Sequence, residues 1–479
     1  MTNTIRDLRL INSALSQTGL PSNNDYKALV CIFLSGGNDS NNWIVPTDTA
    51  TYDQYAAIRQ NLMLPKSSLL PLYNVGQSGA LYSDSDGHNY GFHPACPSLQ
   101  QLFGEDKLAV VFNAGTLVRP TTRAQYLGSS SRLYQPPQLF SHSDQVTQWE
   151  TSIPDAPPVT GWGGRVADLL NIANPNGSIS MSVSVSGANT FEIGNLISQY
   201  QVSTTGAVTV QGPGNSRLQA MKNILALTDA NLQRTAYADV VENAIAVGDL
   251  LNTAITPTAL PTFWTNPFPT TGSLGPQLQM VARLIQARGN PGNAAPASGK
   301  FNMGRQIFFC SVGGYDTHTS QVSVNNTDQP TNPAGAHYRL LAEVNSAMFA
   351  FQKAMEQLGV GDKVTTFTAS DFSRTFPTNS QGSDHGWGAH HLIMGGAAGT
   401  ASGGTSVKGG VTYGKLPTFA LNGPDDTGIG RWIPTMAVDQ YSATLAKWFG
   451  VDTSKLADIF PNLSRFAGTP YGSNVGFMF

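Results

Sequence analysis

The sequence predicts an α/β fold with a mostly parallel central sheet covered by helices on both faces, and three observations carry that expectation. Short, continuous apolar runs recur, each breaks at a Gly/Asn/Asp/Ser turn, and amphipathic segments lie between them. Ala28 to Leu34 is the first such run and breaks at Ser35-Gly-Gly-Asn-Asp39. Leu108 to Phe112 breaks at Asn113-Ala-Gly115, Gln306 to Cys310 runs through Val312 to Gly313-Gly-Tyr-Asp316, and Val364 to Thr368 breaks at Ser370-Asp371. Strands buried on both faces read this way, without the in/out alternation of a half-exposed sheet. Pro94 to Phe103, Gly164 to Ile172, Pro276 to Gln286, His337 to Leu358 and Ala437 to Phe449 are the expected covering helices.

The chain has 479 residues, more than a single small core needs, and 40% of them are hydrophobic, which is ample for burial. Residues 1–26 read as a polar N-terminal extension and 27–479 as the α/β domain. An insertion is expected at about 178–299, where Ser178 to Val210 alternates partially, Ser216 to Ile255 suggests one or two helices, and Pro257 to Gly275 and Arg288 to Gly299 are Pro/Gly/Asn-rich connectors. Residues 399–410 form a Gly/Ser/Thr-rich loop.

Composition also excludes partners. Charged residues are only 12%, and 27 Lys+Arg against 30 Asp+Glu leave a net charge of −3 with no basic run to neutralise phosphates, so nucleic acid is not expected. No apolar run approaches the ~18–20 residues that cross a bilayer. Three cysteines, Cys31, Cys96 and Cys310, are too few and too scattered for a disulfide framework and suggest core packing.

In open sheets of this kind ligands bind outside the carboxyl ends of the strands, and the polar clusters of this chain fall at such ends. Five of its eight histidines sit in three short groups: Ser141-His142-Ser143-Asp144, Gly314-Tyr-Asp316-Thr-His318 and Asp384-His385-Gly-Trp-Gly-Ala-His390-His391. Mixed carboxylate and imidazole donors suit a divalent ion. Adjacent Asp384 and His385 would point to opposite faces of an extended segment, so each could serve one of two metals, while Asp316 and His318, two residues apart, could share one. Helix or turn capping is the alternative for each pair. Asp39 can face the crevice or simply form a turn. Asp371 brings Arg374 with it, for function or as a salt bridge. Ser141 stands before a helix, where a nucleophilic hydroxyl and an anionic ester are both stabilised, and where Ser141 or Ser143 could equally be a cap.

Five motifs, in order, resemble the bacterial domain-of-unknown-function family 1501, sulfatase-like and of the alkaline-phosphatase superfamily: Ser35-Gly-Gly-Asn-Asp-Ser-Asn-Asn42, Gly313-Gly-Tyr-Asp-Thr-His318, Ser370-Asp-Phe-Ser-Arg-Thr375, Asp384-His-Gly-Trp-Gly-Ala-His-His391 and Asp439-Gln-Tyr-Ser-Ala-Thr-Leu-Ala-Lys-Trp-Phe-Gly450. The resemblance runs from about Lys27 to Phe466. It implies that superfamily's α/β fold, one or two divalent ions (Zn, Ca, Mg or Mn), and hydrolysis or transfer of phosphate or sulfate esters. Asp39, Asp316, His318, Asp371, Asp384, His385, His390 and His391 are then the candidate metal ligands, and Ser141, His142 and Arg374 the candidate catalytic groups. Cys96-Pro-Ser-Leu-Gln lacks the Cys-x-Pro-x-Arg pattern of a formylglycine enzyme. Phe140 stands where family members often carry Arg, so Arg119, Arg123 or Arg374 is expected to grip the ester. A small anionic ester is the expected partner, and a periplasmic or secreted location the expected compartment, with a cytoplasmic one as the alternative. A degenerate relative serving as a binding, secretion or assembly component is the alternative function.

Overall fold

The computed structural model describes residues 25–75, 79–157, 159–207, 216–225, 241, 245–255, 268–290, 300–322, 331–397 and 406–479. Nearly all of the expected N-terminal extension lies outside them, as do parts of the expected 216–255 helices, of both connectors and of the 399–410 loop.

The strands are β1 (Lys27–Leu34), β2 (Ile44–Pro46), β3 (Leu70–Pro71), β4 (Tyr90–Phe92), β5 (Leu108–Gly115), β6 (Ser182–Ser184), β7 (Tyr200–Gln201), β8 (Arg305–Val312), β9 (Val364–Ser370), β10 (Ala389–Met394), β11 (Thr412–Tyr413) and β12 (Met436–Ala437). The main sheet runs β11-β5-β10-β9-β1-β8-β6-β7, with β12 also on β5, while β2, β4 and β3 form a small second sheet. Every pairing in the main sheet is parallel except those of β10, which is antiparallel to both β5 and β9. The α/β expectation thus holds, with one reversed strand in the middle.

The covering helices are α1 (Thr49–Arg59), α2 (Pro97–Gly104), α3 (Arg123–Leu127), α4 (His142–Thr151), α5 (Trp162–Leu170), α6 (Ser216–Leu225), α7 (Leu274–Gln286), α8 (Ala336–Gln357), α9 (Val438–Phe449) and α10 (Leu456–Ile459). Helices α2 and α7 each pack on α8, and α4, α5, α9 and α10 form a second group. With a group on each face, β1 is buried along its length after Lys27, which is why Ala28 to Leu34 reads as an unbroken apolar run. Its neighbours supply the rest of a core that includes all three cysteines, each a free, buried thiol. The segment read as an insertion contributes to this framework at both ends: β6 pairs with β8, and α7 packs on β8 and α8. No helix among the described residues is long and apolar enough to cross a membrane.

Because β8, β1 and β9 are adjacent and parallel, their carboxyl ends open on one side of the sheet. The turn after β1 is drawn against the loop after β8: a Cβ on Gly36 would lie 2.4 Å from the Asp316 amide nitrogen, and Gly36 has φ +114°. Only glycine permits this approach. The Gly36 amide in turn donates to Asp371 Oδ1 at 3.0 Å, tying the β1 and β9 ends together.

Candidate metal centre

Two loops and one helix start deliver the site. Asp316 and His318 follow β8, Asp371 and Arg374 open the connection from β9 to β10, and Asp384 and His385 lie further along it. His142 is the first residue of α4. A single antiparallel bridge between Arg374 and His385 fixes the later part of that connection against the β9 end.

Imidazole Nε2 atoms converge there. His385 Nε2 lies 3.1 Å from His142 Nε2 and 2.9 Å from His318 Nε2. Asp316 Oδ1 is 3.6, 3.2 and 3.4 Å from the Nε2 atoms of His142, His318 and His385. Each Nδ1, by contrast, faces an acceptor: Asp371 Oδ2 at 2.6 Å for His142, Asp384 Oδ1 at 2.9 Å for His318, and the Phe140 carbonyl at 2.8 Å for His385. The Nδ1 atoms therefore carry the ring protons, and the Nε2 lone pairs point at one another and at a carboxylate. Lone pairs at such distances repel unless a cation lies among them.

The donor set fits one. Ligands about 2.0–2.1 Å from a tetrahedral zinc ion sit about 3.3 Å apart, the spacing found here. His142, Asp316 and His385 form the compact group, with ligand atoms mutually within 4.8 Å, and His318 joins through His385 and Asp316. The side chains of Asp316 and His318 are 48% and 42% exposed, so the centre is open to solvent.

The surroundings shift the protonation of the donors in different directions. Burial would raise the Asp316 carboxyl, but the Arg374 hydrogen bond and charge outweigh it and keep the group ionised. The Asp371 hydrogen bond raises His142, whereas burial lowers His385. For Asp384, burial is outweighed by hydrogen bonds from Asn379 and His318. Asn379 Nδ2 also donates to the His318 carbonyl at 3.1 Å, closing a small loop around that histidine.

Of the residues singled out in the sequence, the structure brings His142, Asp316, His318, Asp371, Asp384, His385 and Arg374 together, but it redistributes their parts. His142, expected as catalytic, belongs to the converging donors. Asp371 and Asp384, expected as ligands, stand behind imidazoles and orient them. Arg374 does not face an ester: its Nη1 donates to Asp316 Oδ1 at 2.9 Å and to the Gly36 carbonyl at 3.2 Å, and its Nε and Nη2 both donate to the Ser383 carbonyl.

Asp39, His390 and His391, also expected as ligands, lie outside the group of converging donors. The Asp39 carboxylate is fully buried and bonded to Arg59 and Gln321, and burial is outweighed by the Arg59 charge so that it stays ionised. It reaches the site indirectly, because Gln321 Oε1 accepts from Ser383 at 2.5 Å and from Thr317 at 3.3 Å. His390 and His391 are inside β10, where His391 registers with Val111 in the sheet interior. His390 Nδ1 accepts from the Asn113 amide, and His391 packs between the Trp149 and Tyr441 rings with neither nitrogen bonded. Burial lowers both to about 3, so they are neutral core residues. The run Asp384 to His391 reads as one polar cluster, yet it passes from loop into strand at Ala389.

Ser141 flanks the centre between Phe140 and His142. Its hydroxyl donates to Asp144 Oδ2 at 2.6 Å and lies 3.3 Å from the Ser143 hydroxyl, and it does not cap the backbone of α4. Arg119 lies over the Tyr134 ring, and Arg123 Nη2 donates to Asn422 Oδ1 at 3.1 Å. Sequence reasoning missed Arg431, whose Nε donates to the His385 carbonyl at 2.6 Å. Nothing in its neighbours Gly430 and Trp432 signals that contact. A cavity of about 730 Å³, lined by Gly314, Tyr338, Arg339, Leu340 and Glu343 among others, contains none of the converging side chains.

Residues 295–459 match the model of the family described as "Protein of unknown function (DUF1501)", the family that the motifs resemble. No curated protein matches the chain. Among solved structures, the chain is similar to the zinc-complexed C-terminal periplasmic domain of EptC from Escherichia coli, at 10% identity and a TM-score of 0.29 over 79% of this chain and 77% of that one. It is also similar to a protein in the alkaline phosphatase superfamily from Vibrio parahaemolyticus, at 12% identity and a TM-score of 0.32 over 95% of this chain and 77% of that one.

Proposed function

We propose that this chain, whose residues 295–459 match a family of unknown function, is a metal-dependent hydrolase or transferase acting on phosphate or sulfate esters without formylglycine. The observation that carries the reading is the convergence of the His142 and His385 Nε2 atoms and the Asp316 carboxylate, with His318 beside them, on one solvent-open point. Three protein donors with an open position are the arrangement of a hydrolytic divalent site, whereas structural sites are closed. Imidazole-rich donors favour a zinc-type ion over calcium or magnesium, which take oxygen. Bound there, the ion would supply Lewis-acid polarisation of the ester's non-bridging oxygens.

The chain's own residues do the rest. Asp371, Asp384 and the Phe140 carbonyl keep the three imidazoles in one tautomer and orientation, and Arg374 holds Asp316 ionised and aimed. Ser141 is the nucleophile in this reading. Its Oγ bonds to phosphorus or sulfur as the bridging oxygen leaves with its electron pair, and its proton passes to Asp144, already 2.6 Å away. Water, or an acceptor alcohol in a transferase, then takes the group and restores the serine. The exported location expected from the resemblance belongs to the same proposal and is checked by fractionating cells that express the native gene.

The test is metal content with and without chelator, together with turnover of an aryl phosphate and an aryl sulfate by the metal-loaded protein. Metal-dependent turnover of either ester is the expected result. A fully metallated protein that hydrolyses neither would overturn the hydrolase reading and leave the centre a binding site, in keeping with an assembly or secretion role.

A further inference from the structure

We propose that Arg431 is the anion-gripping residue of this centre, taking two non-bridging oxygens of a phosphate or sulfate group in its guanidinium fork. The inference rests on the function proposed above and names the recognition element that the reading lacks.

The argument begins with the cations near the cluster. Arg374 is consumed by Asp316 and the Gly36 and Ser383 carbonyls. Arg59 is consumed by Asp39, Asn42 and the carbonyls of Thr375 and Phe376. Both are fully buried, so neither can meet a ligand. Arg431 differs. It is half-buried, its Nε donates to the His385 carbonyl at 2.6 Å, and its guanidinium carbon lies 3.9 Å above the centre of the Phe140 ring. Among the described residues no carboxylate forms an ion pair with it, and no protein acceptor takes Nη1 or Nη2.

Both anchors belong to the centre. His385 is a converging donor, and the Phe140 carbonyl accepts that same residue's Nδ1 proton. A guanidinium seated over an aromatic ring and pinned through Nε retains the N–H donors of Nη1 and Nη2, a fork that pairs with a tetrahedral oxyanion. The energetic gain is larger because the side chain is already fixed before a ligand arrives.

The loop that carries Arg431 is itself fastened. Asp426 accepts from the amides of Asn422 and Gly430, each at 2.7 Å, and the Thr427 amide donates to the Arg431 carbonyl at 3.1 Å. The Phe376 amide donates to the Gly430 carbonyl at 2.8 Å, and the Gly388 amide to the Trp432 carbonyl at 2.9 Å. Gly430 has φ +78°, and a Cβ there would lie 2.2 Å from Pro377 Cδ. Such a backbone serves a fixed presentation of the next side chain better than a mobile surface arginine.

The experiment measures binding of inorganic phosphate and, separately, inorganic sulfate to the metal-loaded full-length protein by calorimetry, for the parent, Arg431→Ala and Arg431→Lys. Metal content and melting temperature are measured alongside. Arg431→Ala should weaken the anion that the site favours about 10- to 100-fold, the scale of a lost charge-assisted pair, with metal content unchanged. Arg431→Lys should recover part of the loss, since it keeps the charge and not the fork. The arm showing the larger Arg431 dependence identifies the anion class. Parental affinity for both anions in metallated Arg431→Ala would overturn the proposal, as would a metallated parent that binds neither anion at millimolar concentration. Arg431-dependent binding in a parent that turns over no ester would instead refute the hydrolase reading alone.

Discussion

Replacing Asp371 by Asn separates an orienting carboxylate from a metal ligand. Asp371 Oδ2 accepts the His142 Nδ1 proton at 2.6 Å, its side chain is 1% exposed, and its other oxygen accepts from the Gly36 amide at 3.0 Å. The change keeps the shape and removes the charge, so His142 loses the partner that fixes its tautomer and raises its basicity. A buried charge-assisted hydrogen bond is worth about 1.5–3 kcal/mol, which corresponds to a roughly 10- to 100-fold fall in metal affinity, the range usual for outer partners of ligating histidines. Competition between Asp371→Asn protein and a chromophoric chelator reads this directly, with circular dichroism to confirm that the protein folds. Binding should remain at the parental stoichiometry but weaken by that factor. Parental affinity would show that the Asp371–His142 pair does not tune the centre, and complete loss of binding in folded protein would show that Asp371 is itself a ligand.

Other substitutions give separate readouts. Ser141→Ala should cut ester turnover by several orders of magnitude with metal content intact, and near-normal turnover would reduce Ser141 to a partner of Asp144. His391→Phe should leave metal stoichiometry unchanged and lessen acid denaturation. The folded-state value of His391 is depressed to about 3 from an ordinary 6.5, so its contribution to stability is present above 6.5 and is lost as pH falls through 3. A variant that loses metal, or melts across pH 3 to 6.5 as the parent does, would contradict this. Glu192→Gln should have the opposite pH signature. Burial raises Glu192 to about 8, so the stability it contributes is full below about 4.5 and is lost as pH rises through 8. Melting temperatures of parent and variant between pH 5 and 9 should therefore diverge in the variant's favour as pH rises, and parallel curves would refute the assignment.

The strands that locate the centre were legible because burial on both faces imposes a signal that needs no tertiary knowledge: Ala28 to Leu34 and Gln306 to Val312 can be little else. Strand β10 was not, since Ala389 to Met394 carries two histidines directly after its first residue and its apolar character is supplied by what packs on it, namely Trp149 and Tyr441 around His391. Residue types at the centre were equally visible, because Asp316, His318, Asp384 and His385 stand at turns after or between strands. Their division of labour was not. Whether a carboxylate meets a metal or the back of an imidazole depends on which ring nitrogen it faces, and that follows from two loops and a helix start meeting in space. Asp39 shows the same limit: only the fold brings Arg59 and Gln321 to it. Arg431 lies 46 residues from His385 in sequence, and nothing local to Gly430-Arg431-Trp432 announces the contact.

Anomalous diffraction at the absorption edge of a bound zinc ion, collected from crystals of the metal-loaded full-length protein, bears most directly on the assignment of the centre. One ion per chain within about 2.0–2.2 Å of His142 Nε2, His385 Nε2 and an Asp316 oxygen, with His318 beside the group and the remaining position open, is the result expected from the converging donors. An ion held instead by Asp39, His390 or His391, or no anomalous peak among the three imidazoles at saturating metal, would contradict it.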